Sequence, residues 1–244
     1  MKKLLSYLLS PIYILFFVLV LLIFHPIQMV CRLLGGYQLR KKSVDVLNYL
    51  LVYGLYIMGC KIRFKGFENL PKDRPFIIVS NHQSLMDIPP IVIGFRKHHP
   101  KFVSKIELGK GIPSISYNLR HGGSALIDRK NPRQSIAEIM KLGKHIEKEK
   151  YCASIFPEGT RSKTGKVKRF QHAGIASLLK YSPSAVLVPF VIDGNRELMK
   201  KGNFPLTFGT RLTYTVLPTI DPKGRNAEEL TQEIESMIKR ELGQ

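Results

Sequence analysis

Two short segments of this chain hold side chains whose types and spacing could do chemistry. The first is Asn81-His82-Gln83-Ser84-Leu85-Met86-Asp87. It follows the apolar run Phe76-Ile77-Ile78-Val79, so His82 is expected at the exit of a buried strand and Asp87 in the first turn of the next element. That turn brings the carboxylate back toward the imidazole. A carboxylate that accepts the Nδ1 proton fixes the tautomer, leaves Nε2 as a base, and stabilises the imidazolium once it forms. This is the histidine and aspartate of a serine-histidine-aspartate triad without the serine, and the missing hydroxyl can come from a substrate. Taken alone, His-x4-Asp more often describes a surface histidine beside a helix-capping aspartate. No third ligand lies close in sequence, and two ligands do not make a metal site.

The second segment is Phe156-Pro157-Glu158-Gly159-Thr160-Arg161-Ser162, again after an apolar stretch. Gly159 permits positive φ and close approach of backbone to a ligand. Arg161 offers a planar fork that matches phosphate oxygens. Lys163, Lys166, Lys168 and Arg169 follow at once. By composition, a phosphate-binding loop and a merely basic turn fit this stretch about equally.

Short strands alternating with helices must position these residues. Strands are expected over 61–66, 75–80, 101–105, 124–128, 151–156, 185–192 and 211–217. Helices are expected from Met86 toward Phe95, over 132–150 and 173–180, and over 227–242 with Asn226 as the cap. This predicts an α/β domain with a single central mixed sheet flanked by helices, whose sites form where loops leave the carboxyl ends of strands.

The 244 residues carry 38 Lys and Arg against 18 Asp and Glu, a net charge of +20. Between Lys61 and Ser182 there are 24 basic and 9 acidic residues, so the excess is concentrated there. Such a surface attracts polyanions, either nucleic acid or anionic lipid. The N-terminus favours lipid, because Leu4 to Cys31 and Val46 to Cys60 contain no Lys, Arg, Asp or Glu. Pro11 interrupts the first stretch and leaves 13 unbroken apolar residues, Ile12 to Phe24. That is short of the ~20 residues needed to span a bilayer. Basic residues flank both ends, so the positive-inside rule gives no orientation. A two-helix membrane-associated hairpin dipping into one leaflet satisfies all of this, with a single span as the other reading. The expected organisation is an anchor over 1–60 and an α/β domain over 61–244. Three cysteines, Cys31, Cys60 and Cys152, fit no zinc spacing and read as buried hydrophobes.

Together the two segments, in this order and about seventy residues apart, resemble the glycerolipid acyltransferase family. They are most similar to its bacterial 1-acyl-sn-glycerol-3-phosphate (lysophosphatidic acid) acyltransferases. Gly123 to Arg129 resembles the family's intervening block, Val188-Pro189-Phe190-Val191 a later one, and Lys105-Ile106-Glu107-Leu108 its Lys-x-Glu-Leu segment. The likeness runs over about residues 60 to 195. It implies acyl transfer from a thioester to the 2-hydroxyl of lysophosphatidic acid, giving phosphatidic acid, with His82 as general base and Asp87 as its orienting partner. Arg161, Lys105 and Arg129 would bind the acceptor's phosphate in a pocket shaped by Glu158, Gly159 and Thr160. Backbone N–H groups near Gly159 would be candidates for the oxyanion donors.

No bound cofactor and no metal is implied. Acyl-CoA or an acyl carrier protein thioester would be the co-substrate. The partners would be both lipids, an anionic membrane surface and, for that donor, the carrier protein, with no nucleic acid. The place of work would be the cytoplasmic face of the inner membrane. No Gly-x-Ser-x-Gly elbow is present and Cys152 has no paired histidine motif, so direct transfer is expected. The competing readings are another lysolipid acceptor, a non-catalytic basic membrane-binding protein, and a nucleic-acid module, the last lacking aromatic-basic interleaving.

Overall fold

The computed structural model describes residues 1–244. Its strands are β1 (Lys61–Lys65), β2 (Phe76–Ser80), β3 (Lys101–Lys105), β4 (Ala125–Ile127), β5 (Cys152–Ile155), β6 (Val186–Asp193) and β7 (Arg211–Val216). They form one seven-stranded sheet in the order β1-β7-β6-β2-β5-β3-β4. β6, β2, β5, β3 and β4 run parallel, while β7 is antiparallel to β6 and β1 follows β7. The sheet is therefore mixed, as expected. β2 and β5 are buried at every position, the mark of central parallel strands covered on both faces.

Side-chain alternation along β2 divides the core in two. Ile77 and Val79 face α4 (Pro132–Glu149), α5 (Ala173–Tyr181) and α7 (Ala227–Glu241), which supply Ile146, Leu178 and Ile234 among others. Phe76 and Ile78 face the other way, toward α2 (Ile88–Gly94) and the N-terminal helices, with Tyr13, Val44, Leu55 and Met58 in the same cluster. Asn131 and Asn226 cap α4 and α7, each accepting a backbone N–H.

The N-terminus, α1 (Lys2–Tyr53), is a helical hairpin broken at Gly35 and Gly36. Its arms fold back on one another: Tyr13 Oη donates to Leu51 O (3.1 Å), and Gly54 sits so close to Phe16 that a Cβ would lie 2.3 Å from the ring. The first arm differs from expectation, running unbroken through Pro11 and Pro26 to the bend. Tertiary contacts outweigh the proline penalty of roughly 3 kcal/mol. Ser6 and Ser10 accept the backbone N–H groups of Phe208 and Leu206 (3.0 and 2.8 Å), and further along Ser114 Oγ donates to Leu21 O (2.6 Å). The arm thus lies along the α/β layer. Its other side exposes Leu4, Leu8, Ile12, Leu15, Leu19 and Leu22, a stripe at helical spacing.

Two short helices escaped the sequence pattern: α3 (Ile115–His121) and α6 (Asn195–Leu198). Neither is long enough to display a 3.6-residue period.

Candidate active site

β2 and β5 are adjacent, parallel and in register, with Val79 opposite Ile155, so their carboxyl ends release the chain side by side. His82 leaves one end and Phe156-Pro157-Glu158 the other. Asn81 ties this exit to β6, its side chain exchanging two hydrogen bonds with the Ile192 backbone (2.8 and 2.9 Å).

His82 Nδ1 lies 2.7 Å from Asp87 Oδ2. Asp87 is fully buried, and its neighbours are donors. Oδ2 accepts the N–H groups of Gln83 (2.7 Å) and Ser84 (2.9 Å), and Oδ1 accepts Asn195 Nδ2 (2.8 Å). In that setting Nδ1 carries the proton across the contact and Nε2 is the bare nitrogen. The ring is held from one side by Phe156, stacked at 4.1 Å and 17°, while 19% of the side chain stays exposed. The 3-10 turn Leu85–Asp87 that returns the carboxylate is closed by a capping box on Ser84.

A second layer stands behind Asp87. Asn195 Oδ1 accepts the Tyr214 hydroxyl (2.9 Å), and both residues are buried. Burial pushes the Tyr214 phenol well above its ordinary range, with the charge of Asp87 adding to the effect, so it serves as a donor. Gly194 sets this geometry: its φ is +89°, and a Cβ there would lie 1.9 Å from Arg211 O.

The second motif clamps the first. Glu158 Oε1 accepts the His82 N–H (2.8 Å), its Oε2 accepts the Lys168 N–H (3.3 Å), and Ser162 N donates to His82 O (2.8 Å). Burial raises the Glu158 carboxyl above the usual range, and the two amide donors oppose that shift. Gly159 adopts φ +71°, and its N–H is spent on Phe156 O (3.0 Å). Thr160 accepts the Lys168 ammonium through its carbonyl (3.1 Å) and its hydroxyl.

The expected site residues therefore fall into two groups. His82, Asp87 and Glu158 are joined by direct hydrogen bonds, with Gly159 and Thr160 forming the turn beside them. Arg161, Lys105 and Arg129 are exposed, and none of their side chains has a protein partner. Lys105 ends β3 and Arg129 follows β4, so both stand on the same edge of the sheet as His82. Cys152 is fully buried and its thiol is pushed far above the ordinary range by that burial, which suits it to packing and not to nucleophilic attack. His172 is exposed at the start of α5.

Asn195 and Tyr214 went unseen in the sequence, and Gln83 stood in the first motif without a role; its Oε1 accepts the Arg196 N–H (3.0 Å). A signal for Asn195 did exist. Asp193-Gly194-Asn195 ends an apolar strand just as Ser80-Asn81-His82 does.

The chain is similar to known acyltransferases. The family model described as Acyltransferase matches residues 61–193. The 1-acyl-sn-glycerol-3-phosphate acyltransferase alpha of Mus musculus is 23% identical over 189 residues, covering 78% of this chain and 65% of that protein. The 1-acyl-sn-glycerol-3-phosphate acyltransferase of Saccharomyces cerevisiae is 25% identical over 193 residues, covering 77% and 62%. The chain thus spans just under two thirds of the length of these curated relatives. The crystal structure of the 1-acyl-sn-glycerophosphate (LPA) acyltransferase PlsC from Thermotoga maritima superposes with a TM-score of 0.81 at 28% identity, covering 100% of this chain and 97% of that one. With the family match spanning more than half of its residues and the matched segment containing both motifs of the site, the chain belongs to the acyltransferase family.

Proposed function

We propose that this protein transfers a fatty acyl chain from a thioester, acyl-CoA or acyl carrier protein, to the 2-hydroxyl of lysophosphatidic acid and releases phosphatidic acid. The observation that carries this reading is the 2.7 Å contact from His82 Nδ1 to a buried Asp87, with Nε2 unpartnered at an open strand edge. Nε2 takes the proton of the acceptor hydroxyl as its oxygen attacks the thioester carbonyl. The C–S bond then breaks, and the thiolate leaves with that proton. Gly159 N–H is already engaged, but the neighbouring amides of Thr160 and Arg161 have no protein acceptor and are available to the tetrahedral oxyanion. Arg161, Lys105 and Arg129 receive the acceptor's phosphate. Their free side chains on the same edge support this role.

The test is formation of labelled phosphatidic acid by the detergent-solubilised protein with lysophosphatidic acid and labelled acyl-CoA, then acyl carrier protein thioester. Absence of product with both donors would reject the reading. Arg161→Ala should raise the KM for lysophosphatidic acid about 10–100-fold, the worth of one or two charge-assisted hydrogen bonds, and leave the donor KM near its wild-type value. An equal rise for both substrates would remove Arg161 from the phosphate subsite.

The same reading seats the protein on the cytoplasmic face of the inner membrane. The first arm, some 33 residues and ~50 Å long, exceeds the ~30 Å hydrocarbon core. Yet it is bonded to the α/β layer at Ser6, Ser10 and Leu21, which favours a hairpin immersed in one leaflet over a span. Leu15→Glu with Leu19→Glu should release the protein from anionic vesicles in a flotation assay, since each buried leucine contributes about 1.5–3 kcal/mol. Undiminished flotation would exclude the stripe as the anchor.

A further inference from the structure

At the opposite edge of the sheet, where β3 and β5 begin, a second cluster of charged side chains stands idle in the reaction above. Lys101 opens β3 and Lys105 closes it, so the two are about 13 Å apart along the strand. Lys101 is 3% exposed, and no carboxylate touches it. Its Nζ donates to Tyr37 Oη (2.7 Å) and lies over the rings of Tyr37 and Tyr151 (4.6 and 4.9 Å). Arg40, from the second arm of the hairpin, is 2% exposed and reaches the same recess. Its protein acceptor is Asn118 Oδ1 (2.6 Å), which is uncharged. The one carboxylate of the recess, Asp45, is taken by Lys41 at 2.5 Å.

Arg40, Lys41 and Lys101 thus face a single acidic group, and two buried cations lack a counter-charge. Burial pushes the Lys101 amine down to about 7, with Arg40 the next cause, so lysine can relieve the conflict by losing its proton. An arginine cannot. Donors are also in surplus. The guanidinium has five N–H groups and the ammonium three, and the protein accepts one from each. What such a recess lacks is an acceptor carrying negative charge. Just before the bend of the hairpin, a few residues ahead of Tyr37 and Arg40 in the chain, Leu33 and Leu34 are 84% and 75% exposed.

We infer that the recess formed by Arg40, Lys41, Lys101 and Asn118 is a phosphate-binding site, distinct from the His82 edge, that locks the hairpin to the α/β layer when a lipid headgroup or free phosphate occupies it. The anion takes the unused N–H groups of Arg40 and Lys101. It thereby adds a link from the second arm to the first residue of β3, beside the Tyr37–Lys101 bond, the Tyr37–His99 contact and the Arg40–Asn118 bond to α3.

The full chain in detergent tests this, in an Arg161→Ala background so that the proposed acceptor subsite contributes little. Inorganic phosphate in 100-fold excess over its Kd should raise Tm by about 5 °C or more. Arg40→Met should abolish the rise. Asn118→Asp supplies the missing carboxylate internally; it should raise Tm without phosphate and also abolish the response, which keeps the test decisive even where Arg40→Met does not fold. Micelles doped with short-chain phosphatidic acid, beside phosphatidylcholine controls, separate the sources. A larger shift than matched inorganic phosphate identifies a lipid headgroup, and an equal one identifies free phosphate. Absence of any rise, or a rise undiminished in both Arg40→Met and Asn118→Asp, overturns the site.

Discussion

Replacing His82 by alanine should lower turnover about 10²–10⁴-fold, the range general-base catalysis supplies, while the protein still folds. The loss is large because nothing nearby can substitute. Among side chains at this strand edge, Asp87 is buried and engaged by donors, and Glu158 is bound to the His82 and Lys168 amides. Folding survives because Asp87 keeps the N–H groups of Gln83 and Ser84 and the amide of Asn195 when the imidazole is gone. The stability cost is then that of one hydrogen bond to a charged group, about 1.5–3 kcal/mol. His82→Asn refines the measurement. It can still donate toward Asp87, so it should be more stable than His82→Ala and equally inactive. Turnover within a few-fold of wild type in either variant, measured as labelled phosphatidic acid, would remove His82 from the chemistry.

The sequence exposed the parts of this molecule that depend on local pattern. All seven strands were expected within a residue or two, because buried parallel strands are short apolar runs between polar breaks, such as Phe76–Ser80 and Cys152–Ile155. His82 and Asp87 were legible as a pair because a single turn joins them. Glu158 was legible as a member of the site, but its contact was not. Expected to shape a phosphate pocket, it grips the backbone of His82 across the gap between β2 and β5, and only the parallel register of those strands shows it. The first arm of the hairpin was misjudged for a related reason. Pro11 is a local stop signal, whereas the bonds from Leu206, Phe208 and Ser114 that hold the helix come from more than ninety residues away. Arg40 and Lys101 show the same limit. As letters they are two more cations in a basic chain, and their lack of counter-charge exists only once both are buried.

Asn195→Leu carries the second large expected effect, and it reports on a residue that acts through Asp87. The side chain is fully buried and joins Asp87 Oδ1 to the Tyr214 hydroxyl (2.8 and 2.9 Å). Leucine has the same branching and heavy-atom count but is bulkier and offers neither group, so the Tyr214 hydroxyl is orphaned and Asp87 loses a donor. With about 1–3 kcal/mol for each unsatisfied buried group, the variant should lose roughly 2–5 kcal/mol of stability. At 2–4 °C per kcal/mol for a chain of this size, that lowers Tm by about 5–15 °C. The catalytic consequence has a definite sign. A carboxylate with one donor fewer interacts more strongly with the imidazolium, so the base keeps its proton to higher pH. The acid limb of the kcat/KM profile should therefore move toward higher pH. Adding Tyr214→Phe removes the orphaned hydroxyl and should recover part of the lost Tm without returning the pH profile to wild type. A purely packing role predicts the opposite pattern: an unmoved pH profile, and a double variant that is less stable than Asn195→Leu alone. That result would reduce the Asp87-Asn195-Tyr214 chain to core structure.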